Sequence, residues 1–378
     1  MPVIGVTAAA ALVLGIIFMA PVNDGGSLAQ NVGFGQSGHG DGHDGNEAAW
    51  GGDGTQQGGE EGGDGGQDGG EGGDAGGIGP EGNGPVEEDF IDIAQVGAAE
   101  PPPEAQEGGS TGTFVTDCGV NANGLFNSEN VIVAPGVEHG AQHTHDYVGN
   151  QNVNQFSEDV DGNNQLLLQG ETSCDNGDQS MHYWPVLRDT TQEGADADVS
   201  GGGLDGNVGR IITPSQATLE FRGNPVSEVT EMPQFLQIIT GNARAFTTNG
   251  QNANAKWSCT GFEDQVSGDK YPLCPEGSDV LRTFDFPSCW DGQNITSEDK
   301  RTHIVFPDES GACPGGTQAV PQLRQTLVYE VPEGTNFAVD GFPEEQHKPI
   351  TDHSDFINVM PEELMATAVE CINSGRDC

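Results

Sequence analysis

Between Asn31 and Ser110 the chain runs largely in glycine and acid, with GGDGTQQGGEEGGDGGQDGGEGGDAGG at its centre and Pro101–Pro103 near its end. Such a composition cannot bury enough apolar surface to offset the entropy of ordering, so it reads as a disordered, charge-extended linker. Its Gly/Asp richness invites comparison with calcium-binding β-roll repeats, but those need an aliphatic residue in each repeat, and none recurs. Folding is thereby confined to residues 111–378, one domain of about 270 residues, enough for a sizeable core without help from metals.

The charge balance narrows the function classes. No Lys or Arg precedes Arg188, and the first 110 residues carry 19 of the 59 acids and none of the 12 bases. The remaining 40 acids still outnumber the bases, so the globular part is itself strongly anionic. Nucleic-acid binding needs Lys and Arg to neutralise phosphates, and no nucleic-acid partner is expected. A lysine-poor acidic surface repels itself in dilute buffer and is screened in concentrated salt, which suggests a saline habitat; the plainer alternative is that the charge keeps an exported protein soluble.

Residues Val3–Ala20 are apolar throughout, and Ser27-Leu28-Ala29 offers small residues where a signal peptidase reads. Residues 1–29 therefore read as an export signal. The lack of a basic n-region and a length able to span a bilayer make an uncleaved membrane anchor the alternative, the one membrane contact expected. All eight cysteines lie from Cys118 onward, an even number that favours disulfides in an exported chain. Pairing neighbouring loops gives Cys118–Cys174, Cys259–Cys274, Cys289–Cys313 and Cys371–Cys378. No C-x-x-C spacing suggests a zinc cluster.

Short β-prone runs bounded by Gly, Pro, Asn and Asp predict an all-β or β-rich, sandwich- or jelly-roll-like domain. They are Val131–Ala134, Gln165–Leu168, Ala217–Phe221, Leu236–Thr240, Ala243–Thr247, Thr302–Phe306 and Leu323–Val331. Pro361–Ile372 predicts a C-terminal helix, with its proline and acids in the first turn. Asp189–Gly209 is a Gly/Asp-rich surface loop.

Four clusters carry candidate chemistry. In His143-Thr144-His145-Asp146 the two histidines are two apart, so in a strand they share a face and can converge on one metal ion or substrate. A second cluster joins Cys174 to Pro185 and contributes Tyr183 and Trp184. The turn-rich stretch Phe284–His303 holds Cys289, Trp290, Asp291, Asn294 and His303. The fourth is Asp352-His353-Ser354-Asp355-Phe356, ahead of the helix. Two strings that begin like EF-hand loops, at Asp159 and Asp196, lack the Glu at position twelve, where Gly170 and Asn207 stand; they read as acidic turns.

The segments HTHDYVGN, YWP, FPSCWDG with a following His, Cys313-Pro314 and DHSDF resemble, in order, the markers of the secreted domain of unknown function 1996, over roughly residues 115–372. The resemblance implies one domain of an exported protein, in a family sometimes joined to carbohydrate-binding modules, and supplies no reaction.

Taken together, these readings predict a cell-surface or secreted protein that acts on or binds extracellular polysaccharide. As a hydrolase or lyase, it would use His143, His145, His303 and His353 as acid/base groups or ligands and Asp146, Asp291 and Asp355 as carboxylates. A divalent metal would sit on His143 and His145, and Tyr183, Trp184, Trp290 and Asn294 would contact substrate. The alternatives are a glycan- or matrix-binding module without chemistry, and a disulfide-rich structural domain whose polar cluster is a buried network.

Overall fold

A computed structural model describes residues 85–378, apart from 154–156, 158 and 333. The export signal or anchor, and most of the linker, lie outside the described residues. Two five-stranded antiparallel sheets form the body. We number their strands in chain order: β1 (Thr113–Thr116), β2 (Phe126–Asn127), β3 (His145–Gly149), β4 (Met181–Pro185), β5 (Gln216–Arg222), β6 (Gln237–Gly241), β7 (Trp257–Cys259), β8 (Val280–Asp285), β9 (Gln322–Tyr329) and β10 (His353–Ile357). The first sheet runs β7-β8-β9-β5-β1 and the second β2-β3-β4-β10-β6.

Alternation explains how they pack. In β9, Leu323, Gln325, Leu327 and Tyr329 are buried and the residues between them are half-exposed, the signature of a strand with one covered face. Strands β3, β4, β6 and β10 are buried at every position, so both faces of the second sheet are covered. One face sends Val148, Trp184, Ile238 and Phe356 into a core shared with Phe114, Leu219, Phe221 and Phe284 of the first sheet. The Phe356 ring packs edge-on against Phe221 and Phe286 between the sheets. The other face, with Tyr147, Tyr183, Ile239 and Ile357, is covered by Val131, Ile132 and Leu167. The fold is thus the β-rich, disulfide-stapled sandwich expected.

The C-terminal helix α2 (Glu362–Asn373) forms where predicted and buries Met365, Ala368, Cys371 and Ile372. Cysteines pair as Cys118–Cys174, Cys259–Cys274, Cys289–Cys313 and Cys371–Cys378. No helix among the described residues is long and apolar enough to cross a membrane.

Several local expectations are corrected. Gln165–Leu168 is helical, within α1 (Val160–Gln169), because Asp159 caps it by accepting from the Gly162 N–H at 3.1 Å. The acid that resembled a calcium ligand is a helix cap. Val131–Ala134 and Ala243–Thr247 are turns, and only Ile304–Val305 of the run Thr302–Phe306 is strand. Ordered structure also begins before Thr111. Phe90–Asp92 pairs in parallel with Tyr271–Leu273, Ile93 is fully buried, and Asp89 meets Lys348 at 2.9 Å. These few apolar residues dock although the surrounding composition is linker-like.

Asp285, at the end of β8, is clamped by Arg324 at 2.5 Å across the ladder and by Lys256 at 2.6 Å. Burial works to raise its pKa, but the two cations outweigh it and hold the carboxyl at about 2. A group with a depressed folded pKa stabilises above its unfolded value and loses that contribution as pH falls through the folded one. The clamp is therefore complete above roughly pH 4 and lost by about pH 2. Asp285→Asn is expected to cost about 1–2 kcal/mol at neutral pH, given partners a third exposed. Urea titrations should show the gap from wild type closing toward pH 2.

Candidate metal centre

The outer face of the second sheet collects the site. Period-two alternation puts His145 and Tyr147 of β3, Tyr183 of β4, and His353 and Asp355 of β10 on that face. Tyr183 stands opposite Tyr147 on one side and Asp355 on the other, and Asp355 stands opposite Ile239. His145 lies opposite Pro185, and His353 opposite Gly241. His143 enters from the turn before β3. One ring nitrogen from each of His143, His145 and His353 lies within 4.8 Å of the other two, and all three residues are buried. Ring centroids are 4.6 Å apart for His143–His145 and 5.1 Å for His143–His353. Phe342 and Tyr183 pack edge-on around the cluster.

Hydrogen bonds fix which nitrogens face inward. His145 Nδ1 meets the Glu129 carbonyl at 3.1 Å and His353 Nδ1 meets the Thr351 carbonyl at 2.9 Å. A carbonyl only accepts, so both Nδ1 atoms carry the proton and both Nε2 atoms present lone pairs. This is the tautomer a metal-binding histidine takes when a neighbouring acceptor orients it. His143 Nε2 is 3.0 Å from His145 Nε2, a contact that needs a proton or a cation between two lone pairs. His143 Nδ1 lies near the Ala141 backbone but makes no hydrogen bond of good geometry, a buried polar atom left over. Burial first, then mutual repulsion, lowers the pKa of His143 well below its ordinary value and that of His145 to about 3. Burial likewise brings His353 to about 4. The three imidazoles are neutral at ordinary pH, the state that ligates. The donor set fits a borderline divalent ion such as zinc or copper, which takes three histidines and leaves a position open.

Beside this cluster lies a cleft of about 290 Å³, lined by His353, Asp355, Arg244, Phe342, Lys300 and Arg301 among others. Burial pushes Asp355 up to about 7, against the opposing pull of Arg301 and Tyr183. The buried Tyr183 hydroxyl faces Asp355, and burial followed by that carboxylate's charge raises its pKa well above the ordinary value.

The remaining predicted residues are placed elsewhere. Asp146 points to the opposite face of β3, where its Oδ1 accepts from Asn121 Nδ2 at 2.6 Å and burial raises its pKa to about 7. Trp184 is fully buried in the sandwich core, which removes it as a surface for a bound sugar. Asp291 closes a local turn by accepting from the backbone N–H groups of Gln293 and Asn294 and from Asn294 Nδ2. Trp290 Nε1 donates to the Asn294 carbonyl at 2.7 Å, and none of Trp290, Asp291 and Asn294 lines the cleft. His303 is an anchor, with Nε2 on the Gln237 carbonyl at 2.6 Å and Nδ1 on Ser297 Oγ at 2.9 Å.

That anchor positions what the sequence reading missed. The loop from Ser297 to His303 docks on β6 and carries Lys300 and Arg301 into the cleft wall. Asp299 stiffens it by accepting from Ser297 Oγ and from the Arg301 and Thr302 N–H groups, which hold its carboxyl far below the usual range. The one available signal was a Lys-Arg pair in a chain with so few bases. The Asp189–Gly209 loop is also more than surface. Arg188 clamps Asp196 at 2.7 Å and Asp340 at 2.6 Å, and Asn207 Nδ2 donates to the Gln142 carbonyl at 3.1 Å. Gly201, at φ 85°, sits so close that a Cβ would lie 2.4 Å from Ser128 Cβ and 3.4 Å from the His143 carbonyl carbon. The loop backs the turn that presents His143.

Gly241 is the tightest support of His353. Its φ is 76°, and a Cβ there would stand 2.3 Å from the Asp352 carbonyl oxygen and 2.8 Å from His353 Cα. Gly241→Ala is expected to cost about 2 kcal/mol or more through backbone strain and the clash. Chemical denaturation should report that loss, with a weakened metal site if the protein remains folded.

Comparison with known proteins bears on the same residues. Residues 130–359 match the Domain of unknown function (DUF1996), a span that contains His143, His145, Tyr183, Arg301, His353 and Asp355. No curated protein and no solved structure is significantly similar. The match spans more than half of the chain, which therefore belongs to the DUF1996 family.

Proposed function

We propose that this protein is an exported, metal-dependent enzyme acting on extracellular polysaccharide, with His143, His145 and His353 holding one divalent ion. The observation that carries the reading is the convergence of three buried, neutral imidazoles, two with Nδ1 committed to backbone carbonyls. A bound ion of this kind supplies Lewis-acid polarisation of a substrate oxygen or activation of water. Asp355 lines the cleft two residues from His353, so it is placed to exchange a proton with a substrate group. The Tyr183 hydroxyl beside it is a buried donor that interacts with this carboxyl. Four disulfides suit an oxidising compartment and support export. A glycan-binding module without chemistry has no need of this arrangement, since neutral imidazoles desolvated together are costly unless something uses their lone pairs.

Elemental analysis of the full-length protein by inductively coupled plasma mass spectrometry, after loading with zinc or copper and exhaustive dialysis, tests the reading. The expected result is about one ion per chain, lost in a still-folded His143→Ala/His145→Ala variant. Release of reducing ends from polysaccharide should then fall together with the metal. No retained metal, or equal metal in wild type and variant, overturns the proposal.

A further inference from the structure

Nine of the twelve Lys and Arg side chains stand within ion-pair distance of a carboxylate. Among the described residues the three that do not are Lys270, Lys300 and Arg301. In a chain of net charge −47, a base without a carboxylate is the exception. Lys270 is engaged by the Glu88 carbonyl. The other two are adjacent, and both line the cleft that holds His353 and Asp355.

Neither base is a loose surface cation. Asp299 and His303 fix their loop, and Lys300 is held at a left-handed φ of 58°, a conformation that lysine rarely adopts. Arg301 is half-buried. It uses one Nη2–H on the Gly241 carbonyl at 2.7 Å, and the rest of its donor fork has no hydrogen-bonded partner. Arg244, the third base lining the cleft, is already neutralised by Glu344 and lies 3.9 Å over the Phe342 ring. Of the acids lining the cleft, Asp299 is turned into its own loop, and Asp355 attracts Arg301 electrostatically without forming an ion pair with it, as Glu298 forms none with either base; the cationic edge of the cleft is therefore Lys300 and Arg301.

We infer that Lys300 and Arg301 form the receptor for an oxyanion carried by the glycan, so that the substrate is an acidic polysaccharide bearing carboxylate or sulfate groups. This rests on the reading of the cleft as a polysaccharide site. A planar guanidinium fork matches either oxyanion through paired N–H···O bonds, and lysine adds a point charge beside it. The rest of the surface repels such a polymer, which confines productive contact to this edge.

Isothermal titration of the metal-loaded full-length protein with three oligosaccharides of equal length tests the inference: an oligogalacturonate, a sulfated galactan oligomer and a neutral galactan oligomer. Metal content is measured in every sample. Wild type should bind at least one acidic oligomer about tenfold or more tighter than the neutral one, as charge-assisted pairing requires. Lys300→Gln/Arg301→Gln should lose that preference while keeping its metal and melting temperature, and Arg301→Lys should retain part of it. Competition by free galacturonate or by sulfate separates the two oxyanions and needs no variant. Equal binding of acidic and neutral oligomers, or an unchanged preference in the double variant, overturns the inference. Loss of metal with acid selectivity intact would sink the metal centre and leave the oxyanion receptor standing; no binding of any glycan sinks both.

Discussion

At the end that carries the site, a buried cation binds one sheet to the other. Arg282 of β8 has no exposed surface; it meets Asp352 at 2.5 Å and 3.1 Å, the Tyr329 hydroxyl at 2.9 Å and the Pro185 carbonyl at 3.0 Å. Burial disfavours its charge, and Asp352 more than compensates. A desolvated ion pair of this kind is seldom a net source of stability, but removing one partner strands the other. Its value is geometric. Asp352 immediately precedes His353 and Pro185 ends β4, so the guanidinium fixes the start of β10 against the strand beside it.

A second ion-pair system serves the opposite side of the cluster. Arg188 binds Asp340 and Asp196 with its whole fork, and Asp340 also accepts from the Thr144 backbone N–H at 3.1 Å. Thr144 stands between the two histidines, so this network sets the height of the turn from which His143 reaches inward. Buried pairs of this sort are little affected by salt, whereas the acid-rich exterior changes strongly with it.

Much of this was legible before any coordinates, and the reasons are local. A period of two led to the convergence of His143 and His145, although His143 reaches it from the turn before β3 rather than from the strand, and DHSDF marks His353 and Asp355 on one face of β10 by the same logic. The disulfides join loops near in sequence, so proximity along the chain was a fair guide. What failed was whatever depended on distant topology. Trp290 and Asp291 look like a sugar platform in one dimension, but an Asx-type turn consumes the carboxylate and faces the indole toward Asn294. Asp146 and Trp184 are conspicuous letters whose side chains alternate onto the core face. Lys300 and Arg301 matter because their loop docks on β6, more than sixty residues earlier, and no local pattern encodes that. The apolar run Gln165–Leu168 was ambiguous between strand and helix until the cap at Asp159 decided it.

The second sheet is covered on both sides by different things: one face by the partner sheet, the other by loops and α1. Such a sheet separates two evolutionary demands. Residues that face the partner are constrained by close packing, since a lost methylene there is felt as a cavity. Those on the outer face answer mainly to loops, which tolerate change in length and composition far better. A lineage that keeps the inner face intact can therefore rebuild the 297–303 loop and the turns around Arg244, altering what the cleft accepts, without re-solving the problem of folding.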